Sequence, residues 1–161
     1  MKNLFLSLTG LFFLSFVTLS TLPEGEVMDL KGRTRQFSEI IRNNDNPVIV
    51  SFWATWCVPC IKELDAISEV YPEWREETGV KLLAVSVDDE KTSRRIKPMV
   101  NGRGWTDYEV YHDYKGELQR AFHITSVPYL VVIHKGKIVF KKNSYTPGAE
   151  EELYEFIKSL N

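Results

Sequence analysis

The sequence predicts an α/β fold of three layers, with a central mixed β-sheet flanked by helices. Strand-like apolar runs alternate with helix-like patterns from residue 48 onward, which is typical of a sheet whose strands are connected by helices. A tight turn at Lys135-Gly136 then joins two strands, and an amphipathic helix follows at residues 149–160. This order of elements favours a mixed sheet within a single domain.

The predicted elements are separated by recognisable turn and cap residues. Lys31-Gly32 lies between two short strand-like stretches and predicts an N-terminal hairpin, after which Ser38 is expected to cap a short helix. An apolar stripe from residue 58 onward predicts a longer helix, which Pro72 is expected to kink or break. The other predicted elements are strands at residues 48–53, 80–87, 109–111, 129–134 and 138–142 and helices at residues 90–100 and 117–122.

The first 20 residues have the pattern of a secretory signal peptide. Lys2 precedes a run from Leu4 to Leu19 that is rich in Leu and Phe and carries no charge. We therefore expect residues 1–20 to be a signal peptide and residues 21–161 to form one domain that works outside the cytoplasm. A retained membrane anchor is the alternative, because the run approaches the length that spans a bilayer. No cysteine directly follows the run, so a lipoprotein anchor is not supported.

The charge balance and the scattered histidines disfavour several classes of partner. The chain has 20 basic and 22 acidic residues, a formal net charge of −2. Because no basic stretch or basic amphipathic helix stands out, nucleic acid and membrane surfaces are poorly supported as partners. The histidines are spread along the sequence, and we expect His123 and His134 at the surface or at strand ends. The sequence predicts no metal or organic cofactor.

The two cysteines, Cys57 and Cys60, lie three positions apart between the predicted strand at 48–53 and the predicted helix. Two thiols at this spacing can close a small disulfide, and the N–H groups at a helix start stabilise a thiolate. The pattern therefore predicts disulfide exchange. Zinc is disfavoured because a tetrahedral site normally needs four protein ligands. A purely structural bridge is the other alternative, although so small a loop would gain little stability.

Two motifs carry a resemblance to the thioredoxin superfamily and, within it, to the extracytoplasmic TlpA/ResA-type thiol–disulfide oxidoreductases. They are Phe52-Trp53-Ala54-Thr55-Trp56-Cys57-Val58-Pro59-Cys60 together with Glu63, and Ser126-Val127-Pro128 before an apolar strand. The resemblance implies a thioredoxin-like three-layer fold with an N-terminal hairpin and a central helical insertion. It also implies a protein-disulfide reductase of the bacterial periplasm, with a membrane thiol–disulfide electron donor and protein substrates that contain cysteine pairs. Apocytochrome c, as in cytochrome c maturation, or copper-site proteins are the implied targets.

The expected roles of the cysteines follow from their positions along the helix. Cys57 lies at the exposed helix start and is therefore expected to attack the substrate disulfide, with a pKa lowered by the helix end and by thiol hydrogen bonding. Cys60 lies one turn deeper and is expected to resolve the mixed disulfide. Pro59 between them should restrict the backbone near the helix start.

Glu63 is the candidate base that accepts the proton of Cys60. It stands three residues after Cys60 on the same helical face, and TlpA/ResA-type proteins carry a buried glutamate there. We expect desolvation to raise its pKa. The alternative is an exposed glutamate paired with Lys62. Ser51 occupies the position of the buried acid of thioredoxin, and Asp65 replaces a proline usual in the family and is expected to be solvated.

Pro128 is expected to form the second half of the site. The resemblance implies a cis Val127-Pro128 bond facing the cysteines, with the backbone of Val127 available to an incoming peptide. The alternative is an ordinary trans proline at the start of a strand. Trp56 is expected to belong to the exposed contact surface and Trp53 to the core.

Several functions and several residue roles stay open at this point. An oxidase or isomerase is the second enzymatic possibility, and a non-catalytic peptide-binding module is a third possibility from another class. A peroxidase is disfavoured, because reactive-cysteine peroxidases of this fold place the nucleophile in a motif that this chain lacks. Asp88 and Asp89 are expected to act as a helix-cap pair, and Trp105, Tyr108, Tyr111 and Tyr114 to serve mainly in packing.

Overall fold

The computed structural model of the protein describes residues 22–42 and 45–160, so the expected signal peptide lies outside the described residues. Within these two ranges, no helix combines the length and the apolar character needed to cross a membrane. The strands are β1 (Glu26–Asp29), β2 (Thr34–Gln36), β3 (Val48–Trp53), β4 (Lys81–Ser86), β5 (Glu109–His112), β6 (Tyr129–His134) and β7 (Lys137–Lys142). The helices are α1 (Phe37–Ile41), α2 (Val58–Thr78), α3 (Ile96–Arg103), α4 (Glu117–Ala121) and α5 (Ala149–Lys158).

The strands form one mixed sheet in the order β2-β1-β5-β4-β3-β6-β7. β3, β4 and β5 are parallel neighbours, whereas β6 pairs antiparallel with β3 and β7 pairs antiparallel with β6. The hairpin of β1 and β2 joins the sheet through antiparallel pairing of β1 with β5. This arrangement confirms the predicted mixed sheet and N-terminal hairpin.

The sheet separates two hydrophobic cores, and the alternation along β3 shows how. Val48, Val50 and Phe52 pack in the core with α1 and α4, whereas Ile49 and Trp53 pack in the core with α2, α3 and α5. Successive side chains of a strand point to opposite faces, so Ser51 shares the α2 side with its neighbours at i±2. The result is the predicted three-layer fold.

Helix α2 continues through Pro72, so the predicted break is wrong. Its C-terminal half is held on the sheet side by Tyr71, whose hydroxyl donates to the Val80 carbonyl and accepts from the Leu82 amide at 3.3 and 3.1 Å. Trp74 stacks on Tyr154 of α5 with ring centroids 5.2 Å apart. These contacts on both sides of the proline offset the hydrogen bond that a proline removes.

Three other local predictions are corrected by the structure. Helix α1 begins at Phe37 rather than after Ser38, because Phe37 is completely buried and Gln36 takes the cap position. The insertion starts with a short 3-10 turn, and α3 begins only at Ile96. Asp65 is not simply solvated: it pairs with Arg103 and accepts from the Trp105 indole at 3.1 Å, which binds α2 to the insertion.

Gly79 and Gly102 provide a matched pair for testing the end of α2. Gly79 has a φ of 67°, and an added Cβ would lie 2.3 Å from the Asn46 side-chain nitrogen, whereas Gly102 lies within α3 with open space around it. We expect Gly79→Ala to lower the free energy of unfolding by about 1–2 kcal/mol, because left-handed backbone disfavours a Cβ. Gly102→Ala should raise it by about 0.5–1 kcal/mol. Urea unfolding measures both, and equal effects at the two positions would contradict this assignment.

Candidate active site

The cysteine pair lies at the start of α2, where Cys57 is the N-cap residue. Cys57 and Cys60 form a disulfide, and the Cys60 amide donates to the Cys57 sulfur at 3.3 Å. Cys57 is only 4% exposed, so the expected exposure of this residue is wrong: its sulfur is bonded to Cys60 and accepts from the Cys60 amide. The neighbouring side chains of Trp56 and Val58 are 58% and 61% exposed and surround the pair with apolar surface.

A short turn carries the chain from β3 to the cysteines. The amide of Cys57 donates to the Ala54 carbonyl at 3.0 Å, which closes the turn of residues 54–57. Just before it, the amide of Val87 donates to the Trp53 carbonyl at 2.8 Å and extends the pairing of β3 with β4. Trp53 itself is fully buried and packs edge-on against Trp105, as predicted for a core residue.

Asp88 belongs to this site, which corrects its predicted role as a helix cap. It follows β4, is 3% exposed, and its carboxyl group accepts from the backbone amide and the hydroxyl of Thr55 at 2.8 and 2.6 Å. Asp89 is not a helix cap either: it accepts from the amide of Thr92 at 2.9 Å and closes its own turn, whereas Thr92 and Arg95 are the N-caps of the 3-10 turn and of α3. The parallel neighbours β3 and β4 end at the same sheet edge. An acidic residue two positions after the end of β4 was therefore the sequence signal that could have placed Asp88 beside the cysteines.

Glu63 is a buried residue of α2, one turn after Cys60. It is 4% exposed and accepts a hydrogen bond from the Ser51 hydroxyl at 2.9 Å, so it is not the exposed partner of Lys62 considered above. Burial raises the pKa of Glu63 from 4.5 to about 7, although the hydrogen bond from Ser51 and the charge of Lys142 act against this rise. The expected upward shift by desolvation is confirmed.

A narrow cleft between β7 and α5 reaches Glu63 from the side. Lys142, Tyr145 and Glu150 are among its lining residues. Lys142 forms an ion pair with Glu152 of α5 at 2.6 Å. The buried carboxyl group therefore lies close to charged groups of the opposite elements.

Pro128 lies at the same edge of the sheet as the cysteines. The Val127-Pro128 bond is cis, as expected from the resemblance. Tyr129 pairs with Phe52, which places the residues before β6 beside the end of β3. Pro128 is buried, whereas Val127 is partly exposed at the surface.

The histidines are not brought together. His112 contacts the Asp88 carbonyl, His134 ends β6, and His123 is an exposed residue with a φ of 55°. Across residues 22–42 and 45–160, no group of three or more His, Cys, Asp or Glu side chains is arranged to hold a metal ion.

The fold and the cysteine pair define a thioredoxin-like thiol–disulfide oxidoreductase. The chain belongs to the AhpC/TSA family, whose model matches residues 19–142. It is similar to ResA, a thiol–disulfide oxidoreductase of Bacillus anthracis, with 30% identity over 86% of this chain and 75% of the relative. Sporulation thiol-disulfide oxidoreductase A of Bacillus subtilis is also 30% identical, over 72% of this chain and 69% of the relative.

A further relative carries the same name, and two solved structures share the fold. A ResA of Geobacillus kaustophilus is 30% identical, and the match spans 63% of its length and 72% of this chain. A thioredoxin-like protein of Porphyromonas gingivalis is 40% identical with a TM-score of 0.75, covering 86% of this chain and 90% of that one. StoA of Bacillus subtilis is 23% identical, covers 84% and 98% of the two chains, and shares the fold with a TM-score of 0.65.

The raised pKa of Glu63 predicts how stability depends on pH. The carboxyl group binds its proton more tightly in the folded protein, so stability falls as pH rises from about 4.5 to about 7. Glutamine does not titrate there. The native protein should therefore lose about 3 kcal/mol of unfolding free energy between low pH and a pH of about 8, and Glu63→Gln should not show this loss. Urea unfolding of the oxidised proteins checks this, and a difference independent of pH would contradict it.

Proposed function

We propose that this chain is an exported protein-disulfide reductase that works through Cys57 and Cys60. The observation that carries the proposal is the cysteine pair at the start of α2 with the buried Glu63 one turn deeper. A nucleophile at a helix start, a second thiol beside it and a nearby proton acceptor are the groups that thiol–disulfide exchange requires.

The reaction starts from the reduced pair. The Cys57 thiolate attacks one sulfur of a substrate disulfide, a new S–S bond forms, and the other substrate sulfur leaves as a thiolate. Cys60 then attacks the sulfur of Cys57 and releases the second substrate sulfur. The protein ends with the Cys57–Cys60 disulfide, and two electrons have passed to the substrate.

Glu63 is the proposed acceptor of the Cys60 proton in the second step. Its pKa of about 7 supports this role, because a base works best when its pKa lies near the working pH. The Ser51 hydroxyl holds one carboxyl oxygen through its hydrogen bond at 2.9 Å and thereby orients the group.

The proposed substrate surface surrounds the cysteines. Trp56 supplies exposed apolar area, Pro59 restricts the helix start, and the backbone of Val127 before Pro128 is available to an extended peptide. Substrates of this kind are proteins with cysteine pairs, and apocytochrome c is the proposed example. A membrane thiol–disulfide carrier is the proposed electron donor.

Export rests on the signal-like pattern of residues 1–20. A C-terminally tagged chain expressed in a bacterial host should appear in the periplasm, either free or attached to the membrane if the segment is retained. Recovery in the cytoplasm alone would contradict a periplasmic location.

The reduction potential of the pair tests the direction of electron flow. We expect a value near that of thioredoxin, about −270 mV, in glutathione or dithiothreitol redox buffers. A value near about −120 mV would identify an oxidant and replace the reductase by the oxidase or isomerase alternative.

Insulin reduction tests the roles of the cysteines and of Glu63. Cys57→Ser should abolish the activity. Glu63→Gln should lower the rate at neutral pH by about 100-fold, because proton transfer from Cys60 loses its acceptor. Glu69→Gln is the matched control, since Glu69 is an exposed glutamate of the same helix. If Glu63→Gln and Glu69→Gln reduce insulin equally fast, Glu63 is not the base.

Trp56→Ala tests the substrate surface. Because the Trp56 side chain is 58% exposed, its loss should leave the free energy of unfolding unchanged and raise the KM for insulin by about tenfold. Val139→Ala removes an exposed apolar side chain of β7 and should change neither value. A protein that binds peptide through Trp56 but does not reduce disulfides would instead be the non-catalytic binding module.

A further inference from the structure

We propose that Asp88 is a positioning residue for the exchange reaction proposed above: it holds the turn of residues 54–57 through Thr55 and so keeps Cys57 in place at the start of α2. Asp88 touches neither cysteine in any hydrogen bond of the described residues. Its effect on the reaction would therefore be indirect and pass through Thr55.

The contact between Asp88 and Thr55 restrains both the position and the orientation of Thr55 in the turn. The two carboxyl oxygens of Asp88 each accept from Thr55, one from the backbone amide at 2.8 Å and one from the hydroxyl at 2.6 Å. Both residues are buried, with exposures of 3% and 7%. Hydrogen bonds to a carboxylate are stronger than those between neutral groups, and they gain further strength away from water.

Asp88 is itself held by the neighbouring strands. One of its carboxyl oxygens also accepts from the Ser86 hydroxyl at 2.7 Å, and its amide donates back to that hydroxyl at 3.1 Å. Its backbone carbonyl contacts the His112 ring at 2.8 Å. The ends of β4 and β5 thus form a rigid support from which the carboxyl group reaches the turn.

The place of Thr55 in the turn explains why this contact matters. The pairing of β3 with β4 ends where Val87 donates to Trp53, and Thr55 lies two residues beyond that point. Two residues after Thr55, the sulfur of Cys57 accepts from the Cys60 amide at 3.3 Å. A shift of the turn would move the sulfur relative to the helix start, which stabilises a thiolate.

Two substitutions of Thr55 separate the hydroxyl from the shape of the side chain. Thr55→Val keeps the shape and the backbone amide but removes the hydroxyl, whereas Thr55→Ser keeps the hydroxyl. With insulin, we expect Thr55→Val to lower kcat by about tenfold with little change in KM, because small displacements of reacting groups slow a reaction strongly. Thr55→Ser should stay within about twofold of the native protein.

The reactivity of Cys57 provides a readout that a merely structural role would not change. Alkylation of the reduced protein by iodoacetamide, followed against pH, reports the fraction of thiolate. The midpoint of this profile should move to higher pH in Thr55→Val and stay in place in Thr55→Ser. Asp88→Asn should slow insulin reduction as well, and Asp89→Asn is the matched control, because Asp89 only closes its own turn.

The outcomes distinguish this role from the proposed function itself. If Thr55→Val and Asp88→Asn lower stability but keep the native kcat and alkylation profile, Asp88 is only structural and the proposal is wrong. If Asp88→Asn does not fold, the kcat values and alkylation midpoints of Thr55→Val and Thr55→Ser decide whether the proposal holds. If the native protein does not reduce insulin, the proposed function fails, while the alkylation profiles still test the positioning of Cys57.

Discussion

The packing of one face of α2 against the sheet determines both the core and the site. The same helical face carries Cys60, Glu63, Leu64 and Ile67, which are all buried against β3 and its neighbours. Aliphatic side chains supply the driving force, and the carboxyl group is carried into the interior with them. Its desolvation opposes folding at neutral pH and produces the raised pKa that the proposed reaction would use.

The order of the strands explains why three separate segments meet at the cysteines. β3 lies between β4 and β6, and the parallel pairing with β4 brings Asp88 to the edge where the turn to α2 begins. Because β6 runs antiparallel to β3, its start rather than its end lies at this edge, and it brings Pro128 there. A mixed sheet is therefore a condition for the arrangement.

Much of this could be predicted because the signals are local. The strands at 48–53 and 129–134 were predicted with their observed bounds, since apolar β-branched runs between turn residues depend on few distant contacts. The burial of Glu63 followed from its helical spacing to Cys60 combined with a family resemblance. Trp53 and Trp56 were assigned to core and surface correctly, as their exposures of 0% and 58% confirm.

The sequence by itself determined the order of elements, the cysteine pair and the helical face of Glu63, because these depend on neighbours within a few positions. Only the tertiary structure decided which residues of distant segments contact each other. Helix α2 continues through Pro72 because Tyr71 and Trp74 pack against other elements, and Asp88 binds Thr55 instead of capping a helix. Such pairings join residues of different strands and helices, and the sequence pattern contains no period that relates them.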